Sequence, residues 1–277
     1  MRLGFAHNPT NPDAQAALTR AVAWCRAHDV EHWDSAAEDA DRIAASCVGT
    51  DVVCVLGGDG TFLRSARAIG DSGVPALGVN LGRVGFLAKV ETDDLEHALD
   101  QVLVADYAVE DRLRIAATVI RGDGSSETHA CLNEVVMARG HRVRMIQVTV
   151  EVSGSHLATY VADAVVVATP TGSTAYSFSA GGAILDPRLR NVIITPVAAY
   201  LSSLHSVVAG DEHSVTLQLR HAPAGAIVSF DGQGDQPLVA GDRIDVRALP
   251  EPFRLVEPAG ATPFYDLLRT KASRLPY

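Results

Sequence analysis

Lysine is nearly missing from this chain of 277 residues: of 23 basic residues only Lys89 and Lys271 are lysines. Neither follows a glycine, so the G-x-x-x-x-G-K-[ST] phosphate loop is absent. Any handling of nucleoside phosphates must then fall to backbone amides, arginine and a metal ion. Cysteine is sparse as well, with Cys25, Cys47, Cys54 and Cys131 widely spaced and no C-x-x-C pair. That pattern predicts reduced, buried thiols in a cytoplasmic protein, not a disulfide framework or a zinc ribbon. The ten histidines form no H-E-x-x-H pattern, which argues against a zinc hydrolase. No run of about 18 apolar residues occurs, and the apolar stretch at Met1–Ala6 is too short for a secretory signal, so a chain that is neither exported nor membrane-spanning is expected. Positive charge is outnumbered, 23 against 33 acidic residues for a net of -10, which disfavours nucleic acid or an anionic membrane as the main partner.

What the chain does have is 47% hydrophobic residues with 20% charged ones and a mean hydropathy of +0.13, the balance of a globular protein with room for one large or two modest domains. Aromatic content is only 5%, so Ala, Val, Leu and Ile must build the interior. The first third alternates short apolar runs (Leu3–Ala6, Val52–Leu56, Pro75–Val79) with helical stretches at Asp13–His28, Thr61–Ile69 and Leu95–Leu103. Strands alternating with helices predict an α/β domain with a parallel sheet over residues 1–106. From Tyr107 onward the texture becomes strand after strand, separated by Gly, Ser and Asp clusters, and predicts a β-rich domain over 107–250. The remainder, 251–277, is short and mixed.

Three segments carry candidate chemistry. The first is Gly57-Gly58-Asp59-Gly60-Thr61, placed between an apolar strand and a helix. Glycines let backbone N–H groups approach phosphate oxygens, and a helix N-terminus favours negative charge. Asp59 is the carboxylate available to accept a hydroxyl proton; the plain alternative is a tight turn in which it caps the helix. The second is Thr169–Gly182, where seven of the eleven positions 169–179 carry a hydroxyl: a good ligand wall, or else a solvated Ser/Thr loop. The third is Asn133-Glu134, two polar residues interrupting a strand-like run; Asp163 and Asp231-Gly232-Gln233 have the same character, the last also reading as a two-residue turn.

Together these residues resemble the NAD kinase family, whose patterns are G-G-D-G-T, N-L-G-x-x-G-F-L, an N-E pair and T-P-T-G-S-T-A-Y-S-x-S-A-G-G. They stand here in that order at Gly57–Thr61, Asn80–Leu87, Asn133-Glu134 and Thr169–Gly182. G-G-D-G-T alone is shared with diacylglycerol, sphingosine and phosphofructokinase-type kinases; the long Thr/Ser/Gly segment is more specific. The resemblance implies an α/β N-terminal domain, a β-sandwich-like C-terminal domain, and a tail after Glu251 that packs back on the first. It implies active sites near the domain cleft and subunit contacts, and homodimers or homotetramers. It also implies phosphorylation of the 2′-hydroxyl of the adenosine ribose of NAD or NADH, from ATP or polyphosphate, with Mg²⁺ or another divalent cation held mainly by substrate phosphates. Under it Asp59 is the catalytic carboxylate; Gly57, Gly58, Gly60 and Thr61 face the phosphates, with Asp59 and Gly60 also beside NAD. Phe86 lies against the adenine, Asn133 and Glu134 bind ribose hydroxyls, Asp163 holds the nicotinamide end, and Thr174, Ala175, Tyr176 and Ser179 line the adenosine pocket. One stretch departs from the pattern: where many bacterial members carry Pro-His and then Arg, this chain has Ala199-Tyr200 and His205, which leaves the choice between NAD and NADH open. Two other readings are a kinase of the same superfamily acting on a different hydroxyl compound, a lipid included, and a non-catalytic nucleotide-binding regulator. The polar wall at 169–179 disfavours the lipid, and retention of Asp59 disfavours the regulator.

Overall fold

A computed structural model describes residues 1–82, 85–140, 144–202 and 204–273; Arg83 and Val84, inside the Asn80–Leu87 segment, lie outside the described residues. The chain forms two compact units, one made of Met1–Asp111 and the stretch from Phe253, the other of Arg112–Pro252. The divide falls a few residues after 106 because the strand beginning at Tyr107 still belongs to the first sheet.

The first unit runs β1 (Arg2–His7), α1 (Pro12–Ala27), β2 (Glu31–Ala36), α2 (Ala40–Ser46), β3 (Val52–Leu56), α3 (Asp59–Ile69), β4 (Ala76–Asn80), β5 (Val90–Glu91), α4 (Leu95–Leu103) and β6 (Tyr107–Arg112). Strands β1, β2, β3 and β4 pair in parallel in the order β2-β1-β3-β4. Leu3, Phe5, Cys54, Leu56, Leu77 and Val79 pack beneath Ala17, Ala21 and Trp24 of α1 and Leu95 and Leu99 of α4. Val53 and Val55, which alternate to the other face of β3, are also fully buried, against α3. Burial on both faces explains why β3 reads as an unbroken apolar run. Strand β2, Glu-His-Trp-Asp-Ser-Ala, carries no such signal because it lies at the sheet edge and is mostly half-buried.

The second unit holds β7 (Ile115–Ile120), β8 (Ser126–Cys131), β9 (Glu134–Arg139), β10 (Ile146–Val152), β11 (Ser155–Ala162), β12 (Ala164–Ala168), the short α5 (Tyr176–Ser179), β13 (Asn191–Val197), β14 (Val207–Gly210), β15 (Val215–His221), β16 (Ala226–Phe230), β17 (Gln233–Leu238) and β18 (Arg243–Ala248). They make two six-stranded sheets, β11-β10-β15-β18-β7-β8 and β14-β13-β12-β9-β16-β17, with antiparallel pairing. Alternate residues such as Ile115, Ala117 and Val119 of one sheet and Val135, Met137, Val165 and Val167 of the other share one core, so the unit is a β-sandwich. The outer face of the second sheet buries Val136, Val166 and Ile193 with Leu185 against them. The hydroxyl-rich segment, through α5, folds over this face.

After Pro252 the chain returns to the first unit. Strand β19 (Phe253–Pro258) joins the first sheet between β4 and β6, and helix α6 (Phe264–Ser273) follows.

Candidate active site

In the first unit the glycine turn opens α3 from within. Gly58 is the N-cap and Asp59 the first helical residue, so the helix starts two residues earlier than the sequence pattern indicates and Asp59 is not the cap. Gly58 and Gly60 are exposed, and the N–H groups of Asp59 and Gly60 lie in the first turn, where a helix offers no acceptor of its own. Thr61 is buried, with Arg64 Nη2 donating to its Oγ1 at 3.4 Å. Arg64, a cation one turn into the helix, was not singled out from the sequence.

Asp59 is half-buried. Its Oδ2 accepts the Phe86 N–H at 2.9 Å, and its Oδ1 accepts those of Leu87 at 3.1 Å and Ala88 at 3.2 Å. The carboxylate therefore binds three consecutive amides of the segment that follows β4. Gly85 is what permits this approach: a Cβ there would stand 1.9 Å from Asp59 Oδ1. Of the roughly four lone-pair positions of a carboxylate, three are taken by described residues, which leaves one on Oδ2 among them. Immediately behind this clamp Lys89 Nζ donates to Glu257 Oε1 of β19 at 2.6 Å, an ion pair with side chains only 7% and 15% exposed. Phe86 is half-buried, its ring 5.8 Å from that of Phe264 in α6, with Lys271 Nζ 4.7 Å from its centroid.

In the second unit three segments distant in sequence meet at one end of β9 and β12. Asn133 and Glu134 open β9, Thr169 follows β12, and Asp231 with Gly232 turns from β16 to β17. The Asp231 carboxylate accepts from Leu132 N at 2.9 Å, Asn133 N at 2.8 Å and Glu134 N at 3.0 Å. Thr169 binds the other side of the same peptides, its N–H donating to Asn133 O at 2.8 Å and its hydroxyl to Leu132 O at 2.6 Å. Gly172 packs so closely that a Cβ would lie 2.2 Å from Asn133 O. With the backbone held on both sides, Asn133 and Glu134 are 8% and 6% exposed, and Asn133 Oδ1 and Glu134 Oε2 have no hydrogen-bond partner among the described residues. Burial, and after it the charge of Asp231, pushes the Glu134 carboxyl up to about 8.

The hydroxyl segment divides by direction. Thr169, Ser173 and Ser177 are buried and bonded inward, Ser173 Oγ donating to Pro170 O at 2.6 Å and Ser177 Oγ lying 2.9 Å from Thr195 Oγ1. Thr174 and Ala175 are half-buried, and Tyr176 and Ser179 exposed. The four residues expected to line a pocket are thus among those left facing outward, together with Phe178.

Asp163 is not brought to this cluster. It precedes Ala164, whose strand partner is Ala138, whereas Glu134 pairs with Ala168 at the opposite end of the same strands, roughly 15 Å away at ~3.3 Å per residue. There Asp163 accepts from Arg139 Nε at 2.8 Å, and the N–H of Tyr200 donates to Val161 O at 2.8 Å. Tyr200 is 64% exposed and His205 is also exposed.

Among the described residues no three carboxylate, imidazole or thiolate groups gather in a metal cage. The four thiols are buried, and burial raises those of Cys25, Cys47 and Cys54, so none is a ready nucleophile.

Residues 6–107 match the ATP-NAD kinase N-terminal domain and residues 132–258 the ATP-NAD kinase C-terminal domain. An NAD kinase of Heliobacterium modesticaldum is 40% identical over 221 residues, covering 80% of this chain and 78% of that protein. An NAD kinase of Citrifermentans bemidjiense is 34% identical over 276 residues, covering 94% of each. Among solved structures, yeast NADH kinase complexed with NADH has a TM-score of 0.86 at 23% identity, covering 99% of this chain and 87% of that one. An NAD kinase from Archaeoglobus fulgidus in complex with ATP has a TM-score of 0.79 at 24% identity, covering 100% of both. The structural likenesses establish the fold; the two domain matches and the near full-length sequence relatives establish that the chain belongs to the ATP-NAD kinase family.

Proposed function

We propose that this protein transfers the γ-phosphoryl group of ATP to the 2′-hydroxyl of the adenosine ribose of NAD, giving NADP and ADP. Family membership supports the reaction, and one observation carries the site: two nine-tenths-buried polar groups, Asn133 Oδ1 and Glu134 Oε2, have no partner among the described residues, beside a wall whose outward residues include Thr174, Ala175, Tyr176 and Ser179. A folded protein rarely leaves buried polar atoms unbonded, and ribose hydroxyls, which both donate and accept, would supply the missing partners.

The roles follow from the local chemistry. Glu134, kept protonated near neutrality, donates to one ribose oxygen while Asn133 accepts from another hydroxyl. Asp59, with one lone pair on Oδ2 that no described residue takes, accepts the 2′-hydroxyl proton as that oxygen attacks the γ-phosphorus; the bond to the β-phosphate oxygen breaks and ADP leaves. The amides of Asp59 and Gly60 and the dipole of α3 favour the phosphates, with the guanidinium of Arg64 one turn away. A divalent cation fits as a passenger on the nucleotide phosphates, since Asp59 is already committed to three amides; bound there it neutralises charge. Phe86 offers a ring face to the adenine. Asp163 stands at the opposite end of β12 from Glu134, and its expected place at the nicotinamide end is a separate proposal. The exposed apolar Tyr200, Leu201, Leu204 and Val208 support assembly as a homodimer or homotetramer. No described helix is long and apolar enough to cross a membrane, and the proposed setting is the cytoplasm.

The test is purified full-length protein with NAD or NADH, ATP or polyphosphate, and Mg²⁺, followed by NADP or NADPH formation. Turnover with NAD and ATP is expected; a folded protein inactive with every pair would sink the proposal.

A further inference from the structure

We infer that Asp231 is a positioning residue for the ribose-binding pair, its carboxylate holding the backbone of Leu132, Asn133 and Glu134 so that the two side chains are presented to the nucleotide. The inference rests on the reading of Asn133 and Glu134 given above.

Asp231 and Gly232 form the turn between β16 and β17, with φ of +50° and +67°. Two consecutive positive φ values mark the hairpin turn in which Asp-Gly is favoured for its backbone alone, usually at an exposed tip. Here the Asp is only 5% exposed and its side chain leaves its own hairpin for the start of β9. Leu132 and Asn133 precede that strand, so their N–H groups have no ladder of their own; the carboxylate takes both and the N–H of Glu134 besides, at 2.8–3.0 Å. In return the Asp231 N–H donates to Glu134 O at 2.9 Å, which locks the turn to the segment in both directions.

This arrangement separates two tasks. Asp231 and Thr169 satisfy the main chain of 132–134, while Asn133 Oδ1 and Glu134 Oε2 have no hydrogen-bond partner among the described residues. A segment serving the fold alone would have its buried side-chain oxygens bonded too. A fixed backbone with unsatisfied side chains is instead the condition for prepaid orientation of a ligand. The same device recurs in the first unit, where Asp59 binds the three amides after Gly85 and so places Phe86.

The experiment is steady-state NADP formation by the full-length chain: wild type, Asn133→Ala, Asp231→Asn, Asp231→Ala and the double variant Asn133→Ala/Asp231→Ala, each checked for folding by circular dichroism. Asp231→Ala should raise the NAD KM by about ten- to a hundredfold, more than it lowers kcat, and leave the ATP KM within about twofold. Asp231→Asn keeps one oxygen for the Asn133 and Glu134 amides and should lie in between; it decides the matter if the alanine variant does not fold. The double variant should be no worse than about the poorer single one, because both changes remove the same contact. The inference is overturned if the KM for ATP rises with that for NAD, if the two losses multiply, or if Asp231 variants lose only thermal stability. Where Asn133→Ala raises the NAD KM and neither Asp231 variant does, the positioning role alone falls. Where the wild type makes NADP but Asn133→Ala leaves the NAD KM unchanged, or where the folded wild type makes none, the underlying reading fails and the inference with it.

Discussion

Glu134 makes the stability of this protein depend on pH with a predictable sign. Its carboxyl stands at about 8 in the folded state against an ordinary value of 4.5, raised first by burial and then by the charge of Asp231. Below pH 4.5 the group is protonated folded and unfolded and has no effect. Between 4.5 and 8 the unfolded chain has released the proton and the folded one retains it, so stability falls as pH rises, by about 1.4 kcal/mol per unit; above 8 both forms are ionised and the loss stops growing. The full loss is roughly 5 kcal/mol, an upper figure because partial unfolding and water entry relax a buried charge. Replacing Glu134 with Gln removes the titration while keeping the side-chain shape. Urea unfolding of both proteins at pH 5, 6, 7, 8 and 9 should give curves that diverge in favour of Glu134→Gln up to about pH 8 and then run parallel. The NAD KM of the wild type should rise above pH 8, as the carboxyl loses the proton it donates, while that of Glu134→Gln stays flat. Stability curves parallel across the whole range would refute the buried, protonated Glu134.

Asp59→Asn should lower kcat by at least about 10²-fold with little change in the NAD KM, because the amide still accepts from Leu87 and Ala88 through one oxygen but takes no proton; full activity would make Asp59 purely structural. Gly85→Ala places a methyl on the Asp59 carboxylate and should abolish turnover in a chain whose circular dichroism is unchanged, so an active alanine variant would contradict the clamp. Lys89→Met leaves Glu257 buried without its ammonium and should cost about 3–5 kcal/mol in urea, most of it recovered in Lys89→Met/Glu257→Met; equal stability of all three proteins would show the pair to be indifferent. Tyr176→Ala should raise the NAD KM with kcat nearly unchanged, and an unaltered KM would remove Tyr176 from the pocket.

The apolar runs at Val52–Leu56 and Ala164–Ala168 were legible as strands because each is buried on both faces, and sequence records that burial directly. Edge strands such as Glu31–Ala36 and Gln233–Leu238 were not, since a strand half in solvent needs no apolar pattern. Gly57–Thr61 announced a phosphate turn through its glycines, yet nothing in that turn showed that Asp59 would bind backbone amides elsewhere. Its three amide donors come from residues 27 to 29 positions away, a separation that no local pattern encodes. The hydroxyl count at 169–179 was likewise visible, while the split into inward Thr169, Ser173 and Ser177 and outward Thr174, Tyr176 and Ser179 was not; it depends on how the segment lies over the outer face of the second sheet.

Composition and order of residues by themselves determined the class of chemistry: no phosphate-loop lysine, a glycine turn with one carboxylate, an Asn-Glu pair and a hydroxyl wall, all short-range signals. Only the tertiary structure decided which polar groups are already spent and which stay open. Asp59 and Asp231, two acids in glycine turns that look alike in sequence to any surface turn, each bind three amides of a remote segment, while Asn133 and Glu134 beside one of those clamps are left unsatisfied. Hydrogen bonds across about 30 to 100 residues of chain exist only once strands have taken their register, so the distinction between a group that builds the site and a group that serves the ligand belongs to the folded state.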